Sequence, residues 1–268
     1  MQNDFSRRDF IKTSMAVAGA GRLMCGVSGC DKDISFAIPA GVMNTLGATS
    51  FTATMQEYNL SQNVEWTSWV NNTGRDLRAA FEKHEGNRVS GFAWEFRLLQ
   101  DNTINAWCMP GARIAFYDGI MPLCRNADGV AIVMGHEIAH AVYNHSGQRM
   151  AQQLGVQLGI TALNVAISRV TEPDAAILNI ANYVFGVGGQ LGLLAYSRKH
   201  EYQADKMGLI YAAKAGYDPR EAPRFWQRMS ALGSSGTPEF LSTHPSHGNR
   251  IQRLNEAMDE ALKHYNPS

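Results

Sequence analysis

The sequence carries little charge and no excess of either sign. Charged residues make up 18% of the 268, and the 24 basic and 24 acidic side chains give a formal net charge of zero. It has no run or patch of basic residues of the kind that binds a nucleic-acid backbone. We therefore expect no nucleic-acid partner. Internal repeats and low-complexity linkers are also lacking, which predicts a single domain.

Long uninterrupted apolar runs are scarce as well. Residues 175–196 contain no charge and approach the length of a membrane span, but three amide side chains and four glycines interrupt them. This composition favours a buried or lid helix over a membrane span. Together with residues 150–170, the segment is expected to form a helical hairpin over a cleft.

The N-terminus has the pattern of an export signal. Residues 6–12 read SRRDFIK, which matches a twin-arginine signal, and a short, weakly apolar stretch follows at residues 15–21. We expect residues 1–29 to be removed on export to the periplasm and residues 30–268 to form the folded domain. The removed segment holds four of the basic and two of the acidic residues, so the remainder has a net charge of about −2.

The end of this signal resembles a lipobox. Residues 27–30 read VSGC, and in a lipobox the cysteine becomes the lipidated first residue of the mature protein. Cys30 is therefore the expected lipidation site, and the anchor would make the membrane a partner of the protein. Asp31 directly after it resembles a signal for retention in the inner membrane.

Cysteine is scarce, with four residues in the chain, of which Cys108 and Cys124 lie beyond the signal. In an oxidising periplasm the two would form a disulfide between a strand segment and the start of the following helix. The alternative is a pair of buried, unbonded thiols. The sequence favours neither.

One motif in this chain points to a chemistry: residues 136–140 read HEIAH. Residues four apart lie on the same face of a helix, so His136 and His140 can point at one metal ion. Glu137 is rotated away from that face, and we expect it to accept a proton from an attacking water. The apolar run at residues 129–135 predicts a buried helix around the motif.

The start of that helix is marked by Asn126 and Asp128, which are both suitable N-cap residues. The simpler alternative is a core helix with two hydrogen-bonded histidines. It is disfavoured, because the glutamate beside them would then be buried without a purpose.

A hydrolytic zinc site usually has three protein ligands, so one more must come from elsewhere in the chain. His145 lies about 140° further round the helix than His140, which points it off the metal face. We interpret it as exposed or capping. The better candidates are Glu201 and Asp205, which share a face of a later helix. One of them can bind the metal while the other accepts the N–H of a ligand histidine.

The order of these motifs resembles a known family. The HExxH motif, the later ExxxD motif, and Thr-His-Pro at residues 243–245 followed by Arg250 are similar to one group of zinc metallopeptidases. That family includes the heat-shock protease HtpX, the CAAX prenyl endopeptidases and the Oma-like proteases. The resemblance covers roughly residues 60–260 and points to the compact periplasmic branch, of the gluzincin type.

The resemblance implies a role for each residue of the site. His136, His140 and Glu201 would bind one zinc ion per chain. Glu137 would be the general base, and Asp205 would lie behind a ligand. The chain would then be a zinc endopeptidase that cleaves unfolded or misassembled proteins at the cell envelope.

The same resemblance places residues 105–111 in an edge strand beside the cleft. An extended polypeptide substrate would add to that edge by backbone hydrogen bonds along Asn105, Ala106 and Trp107. A tetrahedral oxyanion needs a donor, and either His244 or Arg250 can supply it, so both are candidate catalytic residues.

The sequence leaves other functions open. The His-Pro loop can also approach the metal and restrain activity, with His244 as a fourth ligand. The chain would then be a latent protease that acts mainly as a chaperone-like binding module for envelope proteins. A further alternative is a metal-dependent hydrolase of non-peptide substrates, which needs a closed pocket and no edge strand.

The predicted fold class is α+β, a mainly helical metallopeptidase domain with a small sheet whose edge strand borders the cleft. Residues 31–50 lack periodicity and are expected to be irregular, whereas residues 63–84 are expected to be helical. Alternating apolar residues predict paired strands at residues 90–98 and 103–118. The rest of the domain is expected to be mainly helical.

Overall fold

The structure is a computed structural model, and it describes residues 38–151, 196–232, 238–245 and 248–267. The expected signal at residues 1–29, the lipidation site Cys30 and nearly all of the hairpin expected within residues 150–196 lie outside these ranges. Among the described residues, no helix is both long and apolar enough to cross a membrane.

Helices make up most of the described chain. They are α1 (Ala40–Glu57), α2 (Val64–Glu85), α3 (Met121–Cys124), α4 (Ala127–Val142), α5 (Arg198–Lys214), α6 (Glu221–Ala231), α7 (Glu239–Thr243) and α8 (Arg250–Leu262). Short 3-10 turns occupy Gly86–Arg88 and Asp118–Ile120, and residues 145–151 are also helical. The predicted α+β class is confirmed, and α2 confirms the helix predicted for residues 63–84.

The expectation of irregular structure at residues 31–50 is wrong for their described part, because α1 begins at Ala40. This helix contains several threonines and glycines, which have low helix propensity, so its sequence did not predict a helix. Met43, Leu46 and Phe51 recur on one face and are buried in a cluster with residues of β2 and β3. Tertiary packing therefore stabilises a helix that local propensity does not favour.

The sheet has three strands in the order β1-β3-β2, with β1 at Glu95–Leu99, β2 at Ala106–Met109 and β3 at Arg113–Tyr117. Strand β3 pairs in parallel with β1 and antiparallel with β2. Residues 103–118 are thus two strands and not one. Gly111 and Ala112 have φ of +84° and +58°, and this left-handed turn reverses the chain between β2 and β3.

Helix α4 lies in the middle of the domain and packs against β2, α2, α5 and α6. Its closest neighbour is α5. A Cβ atom built on Gly208 would lie 2.5 Å from the backbone nitrogen of His136, and one on Gly135 would lie 2.8 Å from the Gly208 carbonyl oxygen. The two backbones therefore touch at the first residue of the histidine motif, and this contact positions the site.

Candidate metal centre

The helix that carries the HExxH motif begins where the sequence predicts. The side-chain oxygen of Asn126 accepts a hydrogen bond of 3.0 Å from the backbone N–H of Gly129, so Asn126 is the N-cap of α4. Three turns further on, His136, Glu137 and His140 are all buried. An apolar helix thus carries three polar side chains into the core, where each needs a partner.

The partners come from two remote segments. Helix α5 is capped by Ser197 and brings in Glu201, which is fully buried. His244 follows α7 and is also buried. His136, His140, Glu201 and His244 each offer one ligand atom, and the four atoms lie within 4.8 Å of one another.

The distances within this cluster suit a tetrahedral ion. His136 Nε2 lies 3.1 Å from both His140 Nε2 and His244 Nδ1. Glu201 Oε1 lies 3.4 Å from His140 Nε2 and 3.2 Å from His244 Nδ1. Zinc bonds of about 2.0–2.1 Å in a tetrahedron separate the ligand atoms by about 3.3–3.4 Å. The donor set of imidazole and carboxylate is one that zinc accepts, so the residues fit this metal.

The second nitrogen of each histidine in the cluster also faces a polar atom. His136 Nδ1 lies 2.9 Å from Asp205 Oδ1, which leaves Nε2 free for a metal. His140 Nδ1 lies 3.0 Å from His145 Nδ1. His244 Nε2 lies 3.2 Å from Glu137 Oε1, although the pair is not aligned for a hydrogen bond.

Arg250 holds the carboxylates from behind. It is buried, its Nη1 lies 2.8 Å from Glu201 Oε2 and its Nη2 lies 2.6 Å from Asp205 Oδ1. Its guanidinium carbon also sits 3.4 Å from the centre of the Trp226 ring. That Arg250 donates to a reacting oxyanion stays a prediction, and in this structure both of its terminal nitrogens are paired with carboxylates.

Burial and charge set the protonation of these groups. Burial by itself would raise the pKa of Glu201, but His244, Arg250 and His136 outweigh it and hold this pKa well below its usual value. For Glu137 burial wins, and its pKa is raised even though His244 and His136 oppose the shift. Burial also lowers the pKa of His140 well below its usual value, which favours the neutral form that a metal ligand needs.

His145 is not where its helical spacing predicted. It is fully buried against His140, so the expectation of an exposed or capping residue is wrong. Helix α4 ends at Val142, and Asn144 has a φ of +53°, so extrapolation at 100° per residue fails beyond that point. His145 is outside the four-residue cluster, as expected, but it contacts His140, which belongs to it. Nothing in the local sequence signalled this.

Tyr196 is another residue of the site that sequence patterns missed. Its ring lies on His140, with centroids 3.8 Å apart and planes at 32°. Its hydroxyl hydrogen-bonds to Ser146 Oγ at 2.9 Å, and its backbone N–H donates to the Thr243 carbonyl. It therefore connects the segment that carries His244 to the ligand His140.

The candidate substrate strand lies at the expected place but with buried side chains. Strand β2 is at one edge of the sheet and packs on α4. Asn105, Ala106 and Trp107 are nevertheless buried. The Asn105 amide donates to Glu239, and the Trp107 indole N–H donates to Tyr117. Their side chains are used within the fold, and the backbone N–H of Ala106 already donates to Asn105 Oδ1 at 2.9 Å.

Cys108 and Cys124 are both buried and free. Of the two alternatives that the sequence left open, the pair of buried, unbonded thiols describes the structure. Burial raises the pKa of both thiols far above the usual value.

Comparison with known proteins agrees with this geometry. The profile of Peptidase family M48 matches residues 68–258. The mitochondrial metalloendopeptidase OMA1 of Schizosaccharomyces pombe is 35% identical over 175 residues, which cover 65% of this chain and 49% of that protein. The metalloendopeptidase OMA1 of Homo sapiens is 30% identical over 235 residues, which cover 78% and 44% of the two chains.

A bacterial relative is more distant. The beta-barrel assembly-enhancing protease of Escherichia coli is 26% identical over 189 residues, which cover 69% of this chain and 37% of that protein. The chain thus spans about half or less of the length of these relatives. The family match includes every residue of the cluster, and metallopeptidases of this family use zinc. The chain belongs to peptidase family M48, a family of zinc metallopeptidases.

Proposed function

We propose that this protein is a zinc-dependent endopeptidase that cleaves unfolded or misassembled proteins at the cell envelope. The observation that carries the proposal is the meeting of His136, His140 and Glu201 from two helices, with Glu137 buried beside them. A core that needed only stability would not collect four titratable groups at one point.

The chemistry divides between the metal and the chain. Bound zinc would polarise the peptide carbonyl and lower the pKa of water. Glu137 would take the proton from the attacking water and return it to the leaving amine. The backbone of Cys108 lowers the pKa of the Glu137 carboxyl, so the base lies beside the edge strand. Arg250 and Asp205 would hold Glu201 and His136 in position.

The proposed location and substrate rest on the N-terminal sequence and on the names of the relatives. The twin-arginine pattern, Cys30 and Asp31 favour export and a lipid anchor at the inner membrane. The names of the three relatives place two of them in mitochondria and connect the third with the assembly of β-barrels. An envelope protease fits both. Incorporation of a labelled fatty acid that is lost in Cys30→Ala would support the anchor, and incorporation that persists in that variant would contradict it.

A second candidate function is a latent protease that acts mainly as a chaperone-like binding module. His244 favours it, because its Nδ1 takes the fourth corner of the cluster and its Nε2 faces the base Glu137. The residue is held there firmly. Its ring stacks on Phe240 at 4.7 Å, its backbone N–H donates to the Phe240 carbonyl, and the neighbouring Thr243 carbonyl accepts from Tyr196.

One experiment tests both candidates. Zinc content and cleavage of an unstructured casein are measured for the full chain, for Glu137→Gln and for His244→Ala. An endopeptidase predicts that Glu137→Gln keeps zinc and loses cleavage, whereas undiminished turnover would refute the assigned base. Latency predicts faster cleavage by His244→Ala. A loss of cleavage in that variant would instead assign His244 a catalytic role.

A further inference from the structure

A short chain of hydrogen-bonding groups leads from the ligand His140 to the surface. His140 Nδ1 lies 3.0 Å from His145 Nδ1, and His145 Nε2 lies 3.1 Å from the side-chain oxygen of Gln203. His145 is fully buried and Gln203 is exposed. The ring of His145 stacks on His200 at 4.3 Å between centroids, with the planes 14° apart.

With the amide oxygen of Gln203 facing His145, the contacts allow one arrangement of protons. The amide oxygen of Gln203 can only accept, so the proton of His145 lies on Nε2. A neutral His145 then has a lone pair on Nδ1, and the facing Nδ1 of His140 must be the donor. The remaining nitrogen of His140, Nε2, is left with its lone pair directed into the cluster. This is the tautomer that a metal ligand requires.

We propose that His145 and Gln203 are positioning residues that select the metal-binding tautomer of His140 and thereby strengthen the affinity of the site for zinc. The inference rests on the proposed metal site. The two ligand histidines of α4 would then be oriented by different means. His136 donates to the carboxylate of Asp205, whereas His140 donates to a neutral imidazole that an amide orients.

The exposed end of the chain makes the idea testable without disturbing the core. Gln203→Glu keeps an oxygen that accepts from His145 Nε2. Gln203→Lys replaces it with a group that only donates, which would force the opposite tautomer through His145 onto His140. The two side chains differ little in length, so size does not distinguish them. The inference predicts that zinc affinity is kept in Gln203→Glu and lost in Gln203→Lys.

The measurement is zinc affinity, obtained by competition with a chromogenic chelator. The full chain carries Glu137→Gln throughout, so that self-cleavage cannot interfere. We expect His145→Phe, which keeps an aromatic ring for the stack on His200, to bind zinc about 10–100-fold more weakly. Gln203→Lys should lose affinity to a similar extent, and Gln203→Glu should remain close to the parent.

Controls separate the hydrogen bonds from charge and packing. Repeating the titrations in about 0.5 M salt screens the surface charge at position 203, and the loss in Gln203→Lys should persist. His200→Phe changes the neighbouring ring, which has no hydrogen bond to a ligand, and should leave affinity unchanged. Thermal unfolding of the zinc-free variants reports on folding separately.

The outcomes are distinct. The inference is overturned if His145→Phe is folded and binds zinc like the parent, or if Gln203→Lys and Gln203→Glu behave alike in high salt. His140→Ala serves as the reference for the metal site itself. If that variant also retains parental affinity, the proposed metal site is wrong, and not only the role of His145.

Discussion

The contact between Gly208 and the backbone of α4 gives a prediction for Gly208→Ala. The sign of the change in stability shows whether helix propensity or steric overlap dominates. Gly208 lies inside α5, and replacing an interior helical glycine by alanine usually stabilises a protein by about 1 kcal/mol. Here the new Cβ would lie 2.5 Å from the nitrogen of His136 and 2.7 Å from the carbonyl carbon of Gly135. Both are backbone atoms of a buried helix, which cannot rotate away as a side chain can.

The magnitude follows from these distances. An ordinary van der Waals contact of a Cβ begins at 3.4 Å, so α4 and α5 must separate locally by about 1 Å. Overpacking of this kind costs up to about 3 kcal/mol, and subtracting the gain in helix propensity leaves a net loss of about 2 kcal/mol. The same displacement moves Glu201 away from His136, and zinc bonds tolerate only about 0.2 Å.

We therefore expect Gly208→Ala to lower the free energy of unfolding of the zinc-free protein by about 2 kcal/mol and to weaken zinc binding at least about tenfold. Urea denaturation measures the first quantity and chelator competition the second. Gly41→Ala is the matched control, because Gly41 lies in α1 and a Cβ there would meet nothing within 4 Å. If Gly208→Ala is as stable as the parent and binds zinc equally well, then α4 and α5 do not pack too closely for a Cβ at this position.

Two further predictions concern buried groups. Arg250→Met leaves the carboxylates of Glu201 and Asp205 buried without their cation, so the zinc-free protein should lose about 3–5 kcal/mol in urea denaturation. Arg78→Met, which removes the exposed ion pair with Glu82, should cost less than about 1 kcal/mol, and equal losses would contradict the burial argument. Cys108 and Cys124 have raised pKa values, so iodoacetamide should alkylate neither in the native protein up to about pH 9, but both after unfolding. Peptide mapping measures this, and rapid native labelling of either cysteine would contradict the raised pKa.

Local sequence was a reliable guide to the helix that carries the motif. Asn126 and the apolar run after it predicted the start and the burial of α4, because capping and apolar periodicity act within a few residues. The four-residue spacing of His136 and His140 likewise placed both on one face, since that follows from helical geometry alone.

Extrapolation failed where the backbone leaves regular geometry. His145 was assigned to the surface by assuming a continued helix, but the left-handed Asn144 turns it back onto His140. Residues 103–118 were predicted as one strand, but the turn at Gly111 and Ala112 divides them. A single residue with positive φ redirects everything after it, and neither Asn144 nor Ala112 had to adopt that conformation.

The sequence by itself determined a pair of candidate metal-ligand histidines, a candidate base beside them, and the later carboxylates that could complete the site. Only the tertiary structure decided which atoms meet. It brings Glu201 and His244 to the same point, places Arg250 behind Glu201 and Asp205, and inserts His145 next to His140. The reason is physical. Spacing fixes neighbours within one helix, whereas contacts between α4, α5 and the His244 segment depend on how closely their backbones can approach.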